Sequence, residues 1–202
     1  MNRTVLVFAS CSPAKRQLIQ ATYGNQVRLY SPRFSDSPPS HGSFRAAIVE
    51  AEKNALAKAL EATEYLWSTL ENAVFLGADT LIFLDEKILG KPRNVEEARK
   101  FLKILRGRWH VVITGIAIVS KTPRAVRLNY SATHVLMREY GEEEITYYLK
   151  TGEWKGKAGA YAIQGFGRTL VRGIIGCYYN IVGLPISLIH EELLNLGIKL
   201  PS

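Results

Sequence analysis

Two short stretches carry side chains whose types and spacing suit phosphate chemistry: Gly77-Ala78-Asp79-Thr80 and Leu89-Gly90-Lys91-Pro92. The apolar run Val74-Phe75-Leu76 reads as a buried strand with a carboxylate and a hydroxyl delivered at its end. The next run, Leu81-Ile82-Phe83-Leu84, turns at Asp85-Glu86 and returns through Ile88-Leu89 to a Gly-Lys-Pro corner. A carboxylate so placed can orient a water or hold a metal, and a Lys held nearby by a stiff turn can offset phosphate charge. The same residues also suit a plain surface hairpin, because Asp, Gly and Pro are common in turns.

A second candidate lies near the start of the chain. Val5-Leu6-Val7-Phe8-Ala9 reads as a buried strand, and Ser10-Cys11-Ser12-Pro13 leads from it into a helix carrying Lys15 and Arg16. Ser12 suits the N-cap and Pro13 the first helical position. Backbone N–H groups and the helix dipole favour anions at such an end, and the two cations add formal charge. An ordinary capped helix has the same residues.

These residues need a framework. Val27-Arg28-Leu29-Tyr30 reads as a weak strand, and the Pro- and Ser-rich tract from Ser31 to Ser43, with Asp36 as its one acid, reads as a loop. A helical pattern follows from Phe44 to Leu70, with Lys53 inside it as a solvated helix lysine on its own pattern. Asn94 caps a predicted helix from Val95 to Leu105, closed by Gly107. Trp109 to Val119, broken only by Thr114-Gly115, and Leu128 to Met137 read as neighbouring strands, Gly141 to Leu149 as a short helix, and Leu170 to Ile175 as a last strand. The final helix starts after Pro185 and runs to Leu196. Helices alternate with apolar strands without a strict βα rhythm, so the predicted class is α/β or α+β with a mixed twisted sheet.

The 202 residues suit one domain or one bilobed domain, and 47% hydrophobic content supplies a sizeable core. The net charge of +8 suits either nucleic acid or an anionic small substrate. The densest basic group, Arg93 to Arg108, fits a solvated helix face, with Glu96 and Glu97 at its start to complement the dipole. No apolar run reaches the ~20 residues of a membrane span. No apolar segment with a small-residue cleavage site follows Met1, and Cys11 and Cys177 are too few for a disulfide framework, so a reducing cytoplasm is the expected setting. A Walker-type P-loop, a Gly-x-Gly-x-x-Gly turn, a His-Glu-x-x-His pair and a Gly-x-Ser-x-Gly elbow are all absent from the sequence. A metal would then be a hard ion on carboxylates and phosphate oxygens, magnesium or manganese.

Three collinear stretches together resemble the Maf family of nucleoside triphosphate pyrophosphatases. The first is Ala9-Ser10-Cys11-Ser12-Pro13 with Lys15; the second runs from Gly77-Ala78-Asp79-Thr80 through Leu89-Gly90-Lys91-Pro92 to Gly107-Arg108 and His110 to Gly115. The third is Lys157-Ala158-Gly159-Ala160-Tyr161-Ala162-Ile163-Gln164-Gly165, continuing to Asn180-Ile181-Val182-Gly183-Leu184-Pro185. The resemblance implies a bilobed α/β domain over residues 1–202, with the active site in a cleft between lobes, and a homodimer. It implies hydrolysis of the α–β bond of a nucleoside triphosphate with a divalent cation, and Asp79 as proton acceptor. Ser10, Lys15, Lys53 and Lys91 match positions that line the triphosphate site. Asp36 in Ser35-Asp36-Ser37-Pro38 stands where the family usually has Asp-Glu-Thr-Pro, which makes it the metal candidate. Thr80 and Gln164 match the branch that prefers dTTP and UTP. Ala14 replaces an Arg tied to specificity, with Arg16 read as its partial substitute, and Gly156 replaces the usual acid before Lys-Ala-Gly. Other readings stay open: 7-methyl-GTP or a broad nucleotide range on the same fold, a nucleic-acid-binding protein without chemistry, or a regulator of septum formation acting through protein contacts.

Overall fold

The apolar runs become seven strands of one mixed sheet, ordered β2-β1-β3-β5-β6-β7, with the short β4 paired to β3. The strands are β1 (Val5–Ala9), β2 (Val27–Tyr30), β3 (Ala73–Leu84), β4 (Lys87–Leu89), β5 (Trp109–Ser120), β6 (Ala125–Met137) and β7 (Val171–Ile175). The helices are α1 (Pro13–Tyr23), α2 (Phe44–Leu66), α3 (Val95–Leu105), α4 (Glu142–Thr151), α5 (Tyr178–Val182) and α6 (Ile186–Asn195). The computed structural model describes residues 4–34, 41–70 and 72–198, so Asp36 lies outside the described residues. The fold is α/β, with a mixed open sheet flanked by helices, as the sequence pattern predicts.

The caps anticipated from sequence close as hydrogen bonds. Ser12 Oγ accepts from Lys15 N–H at 3.5 Å, and Asn94 Oδ1 accepts from Glu97 N–H at 2.9 Å. Ser43 Oγ caps α2 by accepting from Ala46 N–H at 3.1 Å. Among the described residues, no helix is long and apolar enough to cross a membrane.

β3 departs from expectation. It does not stop at Gly77 but runs on through Asp79 to Leu84, so Asp79 sits in mid-strand. β5 likewise continues through Thr114-Gly115. The cause is continuous pairing: β3 and β5 are in antiparallel register from Val74↔Ser120 to Phe83↔Val111, with Asp79 opposite Gly115. The other edge of β3 is interrupted instead. β1 pairs with it only from Ala73 to Gly77, and β4 only from Ile82 to Leu84. Between them, residues 78–81 present an unpaired edge.

Side chains of β3 alternate between two layers. On one face, Val74, Leu76 and Ala78 pack with α1 and α6 residues such as Ile19, Ile189 and Leu193. Farther along that face, Ile82 and Leu84 pack with Ala98, Leu102 and Leu105 of α3. On the other face, Phe75 meets the alanine seam of α2, which includes Ala55, Ala59 and Ala62. That seam brings helix backbone against sheet backbone. A Cβ on Gly77 would stand 2.0 Å from Ala55 O, and one on Gly115 would stand 2.4 Å from Ala51 C. Glycine at both positions is therefore a packing requirement.

Gly77→Ala or Gly115→Ala is expected to lower unfolding free energy by about 1–3 kcal/mol or more, the usual cost of overpacking. Gly173→Ala, where a Cβ meets nothing within 4 Å, should leave the urea midpoint unchanged. Equal midpoints for all three variants would contradict the close-seam account.

Candidate active site

The break in the β3 edge opens into a cavity of about 320 Å³. The loop after β1 and the first turn of α1 supply Ser10, Cys11, Ser12, Ala14 and Lys15 to its wall. β3 supplies Asp79 and Thr80, the corner after β4 supplies Lys91, and α2 supplies Lys58. The segment from Lys155 to Gln164 makes the far side, with Lys155, Lys157, Tyr161 and Gln164 on the wall. Gly159 lets that segment seat: at φ +66° its N–H donates to Gly90 O at 3.0 Å, and a Cβ would stand 2.7 Å from Ile82 Cγ1.

Asp79 is 2% exposed and faces the α2 layer. Its Oδ2 accepts from Asn54 Nδ2 at 3.1 Å, and its Oδ1 is held by the Lys58 ammonium. Asn54 and Lys58 are four residues apart, hence stacked on one helix face, and α2 is close enough to reach because the seam is alanine against glycine. A buried carboxylate requires such partners, since desolvating it unpaired is costly. On the opposite face of β3, Thr80 Oγ1 lies 3.1 Å from Lys15 Nζ and 3.0 Å from Thr114 Oγ1. Lys15 Nζ also donates to Ala78 O at 3.3 Å, on the unpaired strand edge. Gly183, at φ +100°, leaves room for this lysine: a Cβ there would stand 2.4 Å from Lys15 Cε.

The wall carries five lysines, Lys15, Lys58, Lys91, Lys155 and Lys157, against one carboxylate, Asp79, among the described residues. Burial pushes the Lys157 ammonium below its ordinary value, with Glu153 opposing. Under the wall, His110 Nε2 lies 2.8 Å from the Tyr161 hydroxyl. Burial pushes the imidazole from 6.5 down to about 4, with the Arg108 backbone opposing. The imidazole is therefore neutral near pH 7 and serves to brace the Tyr161 ring. A turn that borders the cavity is held by a carboxylate. Glu153 accepts from Phe166 N–H at 2.8 Å and Gly167 N–H at 2.9 Å, directly after Gln164.

Of the residues expected from sequence, the structure brings together Ser10, Ala14, Lys15, Asp79, Thr80, Lys91 and Gln164 on one wall. Two lie elsewhere. The Lys53 side chain is 70% exposed and pairs with Glu50 on the solvent side of α2, whereas the Lys58 side chain is 9% exposed beside Asp79. Lys58, not Lys53, faces the sheet because it falls on the stripe 47, 51, 54, 55, 58, 59, 62 that packs inward. Arg16 is off the wall. Its Nε donates to Ser10 O at 2.5 Å, and its Nη2 donates to Tyr30 O at 3.2 Å and Ser31 Oγ at 2.6 Å, tying two strand ends together. Sequence reasoning missed Asn54 and Lys58, although an Asn and a Lys inside an alanine stripe signal a buried polar partner. It also passed over Lys155 and Lys157 as individual cations.

A profile of the family described as Maf-like protein matches residues 5–196. The chain belongs to the Maf family. It is 39% identical to a dTTP/UTP pyrophosphatase of Dictyoglomus thermophilum over 96% of this chain and 97% of that protein. It is 38% identical to a Clostridium kluyveri protein of the same name, covering 96% and 99%, and 37% identical to one from Pyrococcus horikoshii, covering 96% and 98%. In this Maf chain, the three sequence stretches that carry the resemblance all contribute to the wall of one cavity. Among the described residues, no group of three or more His, Cys, Asp or Glu side chains converges to hold a metal ion. With Asp79 already bonded to Lys58 and Asn54, the described residues do not form a cage for a resident metal.

Lys58→Ala strands the Asp79 carboxylate in a buried site and is expected to cost about 3–5 kcal/mol of stability. Lys53→Ala should leave both stability and turnover unchanged; the reverse order in urea unfolding and in assays would restore Lys53 to the site. Stability should also fall as pH drops from 6.5 toward about 4, because His110 must take up a proton that the fold disfavours. His110→Gln should flatten that part of the stability–pH curve.

Proposed function

We propose that this protein is a nucleoside triphosphate pyrophosphatase acting on dTTP and UTP, releasing the nucleoside monophosphate and pyrophosphate. The observation that carries the reading is a buried, oriented carboxylate, Asp79, opening into a cavity walled by five lysines. An anionic polyphosphate suits that charge, and the full-length likeness to proteins named dTTP/UTP pyrophosphatase supports the pyrimidine preference.

In this reading Lys15, Lys91, Lys155 and Lys157 receive the triphosphate oxygens, helped by the N-terminal end of α1 at Ser12 to Ala14. Asp79 accepts a proton from a water as the water oxygen bonds to the α-phosphorus. The α–β bridging P–O bond breaks, and pyrophosphate leaves with the electron pair. Lys58 and Asn54 hold the carboxylate in one orientation, and Lys58 offsets charge that builds on the phosphates in the transition state. Ser10, buried at the end of β1, orients the loop with its hydroxyl, which accepts from Ser12 N–H at 3.2 Å. Thr80 acts through Lys15, and Gln164 contacts the base, with Ala14 leaving space beside it. A divalent cation, magnesium or manganese, enters as part of the nucleotide substrate, since magnesium is usually held by one or two carboxylates together with substrate phosphates. Asp36, by its place in the sequence motif, would supply a carboxylate to it. A homodimer is the expected assembly, and the exposed apolar side chains Val126, Leu128 and Tyr130, spaced by two along β6, offer it a surface.

The test is a panel of ribo- and deoxyribonucleoside triphosphates with 7-methyl-GTP, scoring pyrophosphate and orthophosphate separately. Pyrophosphate from dTTP and UTP is expected; orthophosphate alone would mean that a different bond is cut, and 7-methyl-GTP as the best substrate would overturn the base assignment. Asp79→Asn should retain a folded protein and lose ~10²–10⁴ of turnover, the usual contribution of a general base. Gln164→Glu should change the ranking of bases, and an unchanged ranking would remove Gln164 from base recognition.

A further inference from the structure

Part of the cavity wall comes from residues 31–34, a stretch without helix or strand, of which Pro32 and Phe34 line the cavity. An irregular segment holds one shape only when its backbone groups find partners. Here the partners come from α2. Glu61 Oε1 accepts from Arg33 N–H at 2.8 Å, Glu61 Oε2 accepts from Phe34 N–H at 3.0 Å, and the Tyr30 hydroxyl donates to Oε1 at 3.3 Å. Two successive backbone N–H groups on one carboxylate form charge-assisted bonds with a defined direction. Burial pushes the Glu61 carboxyl up, but these bonds and the Arg33 charge outweigh it and leave the group below its ordinary value. Arg16 grips the same segment from α1 through Tyr30 O and Ser31 Oγ. Glu153 does for the turn after Gln164 what Glu61 does for the segment ending at Phe34.

We infer that Glu61 is a positioning residue for nucleotide binding, setting the Phe34 ring as an apolar wall against which the nucleoside half of the substrate packs. The inference rests on the proposed reading that a nucleoside triphosphate occupies this cavity. The lysines account for the phosphates, and an aromatic ring at the rim supplies what a base or sugar requires and a phosphate does not. Glu61 itself stays behind the wall, so its effect passes entirely through the segment that it holds. Ground-state binding should therefore change while the chemistry at Asp79 does not.

The experiment compares wild type, Glu61→Ala, Phe34→Ala and the double variant in steady-state turnover of UTP and dTTP. Each single variant should raise KM about tenfold with kcat within about twofold, the pattern of lost uniform binding. The double variant should raise KM no further than the larger single change, because both remove one device. Glu61→Gln, which keeps one acceptor oxygen, should fall between wild type and alanine, and it serves if the alanine variant fails to melt cooperatively. Unchanged KM in a folded Glu61 variant, multiplying effects in the double variant, or a loss confined to kcat would overturn the inference. Calorimetric UTP binding separates the two claims. If wild type binds UTP without turnover, the pyrophosphatase reading fails and Glu61 is judged on Kd by the same tenfold and non-additive pattern. If wild type neither binds nor hydrolyses nucleotide, both fall.

Discussion

The close contact between α2 and the sheet is the constraint on which the site depends. Alanines on the helix meet glycines on β3 and β5, so closely that a single added methyl at Gly77 or Gly115 would overlap helix backbone. At ordinary helix–sheet spacing, side chains fill the gap and polar groups on the helix stay far from the strands. Here the gap is closed, and Asn54 and Lys58 reach the Asp79 carboxylate. The seam therefore sets packing and also makes a buried charge tolerable, by delivering its two partners along with the helix.

The second constraint is an omission in the sheet. Pairing with β1 stops at Gly77 of β3 and pairing with β4 resumes only at Ile82, which leaves a short stretch of β3 with one edge unpaired. Strand edges expose backbone donors and acceptors as well as side chains from both faces. At this edge Ala78 O takes a bond from Lys15, Thr80 meets the same lysine on one face, and Asp79 meets Lys58 on the other. A regular sheet would separate the Asp79 face from the Thr80 face. The interruption puts both on the wall of one cavity, which is how alternating side chains of a single strand come to border one space.

Two carboxylates away from Asp79 have structural duties. Glu61 and Glu153 each bind two consecutive backbone N–H groups of irregular segments. Arg16 joins the ends of β1 and β2 through their carbonyls. Loops shape much of this cavity, and these ion-to-backbone bonds give them the definition that strands and helices provide elsewhere. Five lysines line the cavity against one carboxylate among the described residues, a balance that suits an anion.

Much of the architecture is written in local pattern. The runs of β1, β2 and β7, the caps Ser12 and Asn94, and the turn at Asp85-Glu86 follow from residue type and spacing, because strand burial, capping and turn chemistry are local effects. The motif residues Asp79, Lys15, Lys91, Thr80 and Gln164 were legible as well, through the family resemblance that they carry. Which side of α2 meets the sheet was not. Lys53 and Lys58 look alike in sequence, and only the packed seam decides that one faces water and the other faces Asp79. Arg16 stands two residues after Ala14, close enough in sequence to suggest a substitute for the arginine lost there, but residues two apart on a helix point about two hundred degrees apart, and tertiary bonds send its guanidinium to the Tyr30 carbonyl. Asp79 was expected at a strand end, and continuous pairing with β5 placed it in mid-strand. The sequence by itself determined most of the elements and the chemical groups. The tertiary structure decided their partners, since partner choice depends on helix rotation, edge pairing and loop anchoring between residues distant in the chain.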